Sequence, residues 1–125
     1  MGELNAAIEG FLVAFRNLDW EPFRASFAED ATVFFPQTAG VVERADGKGQ
    51  IEEVFSRVFE RARAQKAEPP YLHIEPSDVR IQSFGNVAIV TFHLDDPGVF
   101  GRRSVVFENR EGQWLIVHLH ASNVS

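Results

Sequence analysis

The chain of 125 residues contains no cysteine. That excludes a disulfide frame, a thiolate zinc site and a cysteine nucleophile. It has a single tyrosine, Tyr71, so only one phenol is available as an acid. No stretch approaches the roughly 20 apolar residues of a membrane span. The start, Met1-Gly2-Glu3-Leu4-Asn5, has neither the charged region nor the long apolar run of a secretory signal. Ala6 stands where a myristoylation signal would place Ser or Thr. A cytoplasmic protein is the expectation. Positive charge is also scarce. The formal net charge is −6, and although Arg102 and Arg103 are adjacent, no basic stripe exists. Nucleic-acid binding draws most of its non-specific affinity from phosphate neutralisation, so this composition argues against it.

What the chain has in abundance is phenylalanine: 12 Phe against two Trp, with 45% hydrophobic residues overall. That is enough for one compact domain spanning residues 1–125 with a single core. Phe fills space without needing a hydrogen-bond partner, so the interior should be large and dry.

Along the chain, Leu4, Ile8, Phe11, Phe15 and Leu18 recur at helical spacing, and the spacing predicts a helix over 3–18. Asp19 can cap a short helix over 20–27. A short strand over 31–35 ends at Pro36, and 37–47 reads as a loop that borders a pocket. Ile51, Val54, Phe55, Val58, Phe59 and Ala62 share one face of a helix over 48–64. Pro69-Pro70 stops it. Strands follow near 72–83, 87–94, 103–109 and 113–122, with Gly85-Asn86 and Glu111-Gly112 as tight turns and Asp95-Asp96-Pro97-Gly98 as a longer one. Helices first and an antiparallel meander afterwards make an α+β fold.

The last strand decides the faces. Period two separates the apolar set Leu115, Val117, Leu119 and Ala121 from the mixed set Trp114, Ile116, His118, His120 and Ser122. The apolar set should meet the helices. The mixed set is too apolar for water and too polar for a core, so Trp114, Ile116, His118 and His120 are expected in a homodimer interface. Phe34, Phe35, Phe55 and Phe59 are expected as core or pocket wall, suited to a flat apolar ligand.

The order helix, helix, short strand, loop, helix, four long strands resembles the cone-shaped fold of nuclear transport factor two, ketosteroid isomerase and SnoaL-like polyketide cyclases. Phe15 to Asp19, Phe27 to Val33, Gly47 to Ile51 and Trp114 to Ser122 carry the resemblance. The segment Gly112 to Ser122 looks most like the subgroup with the association domain of calcium/calmodulin-dependent protein kinase. The resemblance implies a curved antiparallel sheet packed on N-terminal helices. In ketosteroid isomerase a carboxylate base precedes the proline after the first strand, and a tyrosine on the first helix donates a proton. The matching residues here are Phe35 and Phe11, so steroid isomerisation by that mechanism is not expected. The pocket arginines of the kinase domain match Val105, Ala121 and Thr91, so its anion recognition is not carried over either.

The same register turns Thr91 and His93 inward, and makes His93 the candidate general acid or base at the pocket mouth. Its alternative is a surface residue near the Asp95-Asp96 turn. Arg103, inward with Val105, would orient a carboxylate or phenolate, or else pair with Asp95, Asp96 or Glu43. Tyr71 and His73 fall near the cleft. Asp30 reads as a turn anchor. His118 and His120 share a strand face, as metal ligands can, but no third ligand accompanies them, so no metal and no cofactor are expected. The ligand-binding set is thus Phe11, Phe34, Phe35, Phe55, Phe59, Tyr71, Thr91, Arg103, Val105, Leu119 and Ala121. Two functions remain on these residues: a small-molecule binder for an apolar or weakly anionic ligand, with weak acid–base chemistry, or a non-catalytic self-association module.

Overall fold

The structure, a computed structural model, describes residues 2–36, 44–96 and 99–124. Three helices, α1 (Gly2–Arg16), α2 (Trp20–Ala25) and α3 (Lys48–Gln65), pack on a six-stranded sheet. The strands are β1 (Phe27–Phe34), β2 (Ala45–Asp46), β3 (Pro76–Phe84), β4 (Val87–Asp96), β5 (Val99–Arg110) and β6 (Gln113–Val124), in the order β2-β1-β6-β5-β4-β3. The expected meander β3 to β6 is antiparallel. β1 adds a parallel pairing to β6, which makes the sheet mixed.

α1 stops at Arg16, before the end of its apolar period, because the chain turns over Leu18. Leu18 takes φ 53°, and the N–H groups of Leu18 and Asp19 return to the carbonyls of Phe15 and Ala14. This closure usually uses glycine. The left-handed conformation costs a leucine about 1–2 kcal/mol, and burial of its side chain to 1% exposure offsets that. Asp19 sits at the N-cap of α2 as expected, but its side chain makes no cap bond; its carbonyl accepts from the Phe23 N–H. At Glu111-Gly112 both residues have positive φ, 54° and 86°, the geometry a two-residue hairpin turn needs.

The core joins helices to sheet through aromatic rings. Phe23 lies within 4.8–5.5 Å of Phe11, Phe15, Phe27, Phe55 and Phe59. Phe59 is 3% exposed and stacks on Phe15, so it is core and not pocket wall. β1 begins at Phe27, ahead of the expected strand, and its pairing with β6 shifts register between Phe27 and Thr32. Asp30 there accepts from Arg110 at 2.9 Å and anchors the β5 end, not a turn.

Two face assignments are corrected by the ladders. Val106 pairs with His118 and Phe107 with Ile116, so Val117 is an extra, bulged residue. Beyond the bulge Leu119 and Ala121 face the core, as expected. Before it the parity is reversed: Ile116, expected in an interface, is fully buried inside the chain, and Trp114 packs half-buried against the core on the same inner face. On β4 the inward set is Ala88, Val90, Phe92 and Leu94, opposite Phe107, Val105, Arg103 and Gly101. Thr91 and His93 therefore point to the outer face; a one-residue change of register exchanges the two sides of a strand.

Candidate functional site

A cavity of about 450 Å³ lies between the inner sheet face and the helices. α1 supplies Phe11, Leu12 and Phe15, and α3 supplies Phe55, Val58 and Arg61. Phe35 and Pro36 close it beyond β1, and Leu72, His73 and Ile74 border it ahead of β3. The sheet contributes Phe92 and Leu94 from β4, Gly101, Arg103 and Val105 from β5, and Leu119, Ala121 and Asn123 from β6. Among the described residues no carboxylate lines it. Phe11 and Phe35, the positions that match the isomerase acid and base, are both on its wall and can neither donate nor accept a proton.

The cavity has a direction. Phe11 lies beside Phe27, which pairs with Ile116, and Phe55 reaches from Phe27 to Phe35 at the far end of β1. The Phe11 end is apolar. At the other end the ladders bring together Leu94, Gly101 and Asn123 in one row and Phe92, Arg103 and Ala121 in the next. Pro76 pairs with Leu94, which sets the coil carrying Ile74 and His73 against the same end. The ladders thus put Arg103 and Asn123, with His73 from the coil, toward one end of a mostly apolar volume.

Arg103 is the group with unusual surroundings. Its Nη1 donates to the carbonyls of Arg102 and Ser122, each at 3.1 Å, and to Asn123 Oδ1 at 3.2 Å. The guanidinium fits because position 101 has no side chain: a Cβ there would meet Nη1 at 3.0 Å and Asn123 Oδ1 at 3.2 Å. Among the described residues Arg103 has no carboxylate partner; Asp95 does not pair with it, and Glu43 and the Asp96 side chain lie outside what is described. Burial lowers its pKa from the ordinary value. Arginine keeps its charge at neutral pH regardless, so a cation stands at the edge of an apolar cavity without an opposite charge among the described residues.

Several expected site residues lie elsewhere. His93 is on the outer face, its ring 4.8 Å from that of Phe100 and its Nδ1 3.9 Å from Asp78 Oδ2. It does not line the cavity, and neither does Thr91. Phe34 is 37% exposed on the outer face, between the rings of His118 and His120. Tyr71 lies under the Arg63 guanidinium and borders a separate cavity of about 240 Å³ with Arg16 and Lys66. Phe11, Phe35, Phe55, Arg103, Val105, Leu119 and Ala121 do meet around the main cavity. Sequence reasoning missed Arg61, Gly101 and Asn123. A glycine inside a strand often marks a close approach, and Gly101 carried that signal.

The outer face holds the histidine pair. His118 Nδ1 lies 2.7 Å from Thr32 Oγ1. Desolvation, then the neighbouring His120 and Arg44 charges, lower the His118 pKa. Among the described residues no group of three or more His, Asp or Glu could hold a metal ion. No helix among them is long and apolar enough to cross a membrane.

This fold and cavity define a class. The SnoaL-like domain family model matches residues 4–125, and the chain belongs to that family. Solved structures agree on the fold. An NTF2-like protein of unknown function from Pseudomonas putida KT2440 shares 21% identity at TM-score 0.73, over 97% of this chain and 84% of that one. A proposed dehydratase of the NTF2-like family from Streptomyces avermitilis shares 17% at TM-score 0.78, over 99% and 95%. The association domain of the C. elegans kinase CaMKII shares 19% at TM-score 0.67, over 97% and 93%. A comparison with curated protein sequences gives no match.

Proposed function

We propose that this SnoaL-like domain binds a small, mostly apolar molecule in the cavity between helices and sheet. The observation that carries this reading is the cavity itself: about 450 Å³, walled by Phe11, Phe15, Phe35, Phe55 and Phe92, with Arg61, His73, Arg103 and Asn123 as its polar groups. Ligand sites are commonly concave, apolar and equipped with a few convergent polar groups. Acid–base chemistry has one imidazole on the described wall, His73, whose Nε2 is 3.7 Å from Glu75 Oε2. Without a carboxylate on that wall, binding is the primary role and proton transfer a secondary one. A cytoplasmic protein that binds neither nucleic acid nor membrane fits the composition.

The test uses the neutral fluorophore N-phenyl-1-naphthylamine. Saturable binding at one site per chain, lost in a folded Ala121→Phe variant that fills the cavity, is the expected result. Equal binding to both proteins sinks the reading.

Self-association is the second role, and a specific observation favours it. Phe34, Phe84 and Phe100 stand 37%, 60% and 38% exposed, and by register they share the outer sheet face with His118 and His120. A homodimer through that face would cover them. Sedimentation equilibrium should give twice the chain mass, and a Phe84→Ser/Phe100→Ser double variant should sediment as a monomer. A variant as dimeric as the parent would put the interface elsewhere.

A further inference from the structure

The geometry points to a planar carboxylate as the ligand's polar group, held on the Nε–Nη2 edge of Arg103. This inference rests on the cavity being a binding site and names the class of molecule it takes.

Three oxygens share Nη1, which fixes the guanidinium plane from one side. Nε and Nη2 have no partner among the described residues. Nor is either nitrogen an orphan sealed in protein, since among the described residues no buried side-chain nitrogen or oxygen lacks a partner. The free edge is therefore accessible, and Arg103 is on the cavity wall. Nε–H and Nη2–H form a parallel two-donor fork that matches the two oxygens of a carboxylate. Arg61 and His73 line the same cavity and add donors without adding a negative charge. The fork sits in the row next to Leu94, Gly101 and Asn123, several rows along β6 from Ile116, whose partner Phe27 packs on Phe11. A ligand with an acid at one end and an apolar, flat body at the other satisfies both ends of the cavity together. Gly101 determines this specificity from the side, because any Cβ there would push Nη1 from Asn123 and turn the fork. The site differs from the arginine positions of the kinase association domain, which match Val105, Ala121 and Thr91 here.

The test is calorimetric titration of the wild-type protein with 2-naphthoate and 2-naphthamide, which share one apolar body. The acid should bind at least about tenfold tighter than the amide. Arg103→Met should level the two. Arg103→Lys, which keeps the charge but not the fork, should restore only part of the difference. Gly101→Ala should reduce the acid's advantage with Arg103 still present. Each variant's thermal transition checks that it is folded. An acid no tighter than the amide, or an advantage that survives Arg103→Met, overturns the carboxylate site while leaving the cavity reading intact. If neither compound nor N-phenyl-1-naphthylamine binds, the cavity reading falls and this inference falls with it.

Discussion

Replacing Phe23 with alanine tests the way this fold holds its helices on the sheet. Phe23 is 1% exposed. Its ring centroid lies 4.8 Å from that of Phe55, 4.9 Å from Phe59, 5.1 Å from Phe15, 5.4 Å from Phe27, 5.5 Å from Phe11 and 6.2 Å from Trp20. Deleting a buried Phe side chain costs about 3–5 kcal/mol, more where neighbours cannot collapse into the hole. Rings from α1, α2, α3 and β1 surround this one, so collapse would need four elements to move together. Aromatic pairs add about 0.5–1.5 kcal/mol each beyond burial, though not additively. We expect Phe23→Ala to lose about 4–5 kcal/mol, a large share of the 5–15 kcal/mol typical of a domain. Urea unfolding followed by far-ultraviolet circular dichroism reads it as a midpoint about 2 M lower with an unchanged slope. Titrations at two protein concentrations separate any contribution from self-association. Val13→Ala, at a side chain 39% exposed on α1, is the control and should stay within about 0.5 kcal/mol. A Phe23→Ala loss below about 1.5 kcal/mol, or one equal to the control, would refute the ring cluster as the joint. Phe11, Phe15 and Phe55 also line the cavity, so probe affinity should fall in the same variant.

Three other outcomes follow from the backbone and the outer face. Ile116→Ser should cost about 3 kcal/mol or more, and more than Leu115→Ser, because the bulge at Val117 turns Ile116 and not Leu115 into the core; the reverse order in urea unfolding would remove the bulge. Leu18→Ala should destabilise more than Leu18→Gly by about 0.5–1 kcal/mol, since both lose the buried side chain but only glycine is relieved at φ 53°; thermal midpoints that favour alanine would count against a left-handed Leu18. His118 is held below its ordinary value of 6.5 mainly by desolvation, so the unfolded chain binds a proton more readily. Its contribution to stability is present above 6.5 and is lost as pH falls from 6.5 through the lowered folded value. His118→Gln should flatten the pH dependence of urea midpoints in that window, and an unchanged pH profile would remove His118 as its source.

Much of this protein could be read from its residues. The helical spacing of Leu4, Phe11 and Phe15, the shared face of Ile51, Phe55 and Phe59, and the turns at Gly85-Asn86 and Glu111-Gly112 are local patterns, and each produced its element. Period two placed Leu119 and Ala121 on the core side for the same reason. What a single chain's periodicity cannot carry is the pairing between strands. A bulge at Val117 is invisible until β5 supplies the partner, yet it sends Ile116 into the core. The face of His93 depends on pairing with Arg102, and a shift of one residue would have turned it into the cavity. The parallel β1–β6 ladder joins residues 27–34 to residues 116–120, a separation no local signal spans. Arg103 was legible as an inward cation from its parity with Val105. Its tether was not, because Asn123, the Ser122 carbonyl and the space left by Gly101 meet it only when β5 and β6 lie side by side. Local propensity and alternation set the elements and most of their apolar faces; register between strands decided which side chains share the cavity.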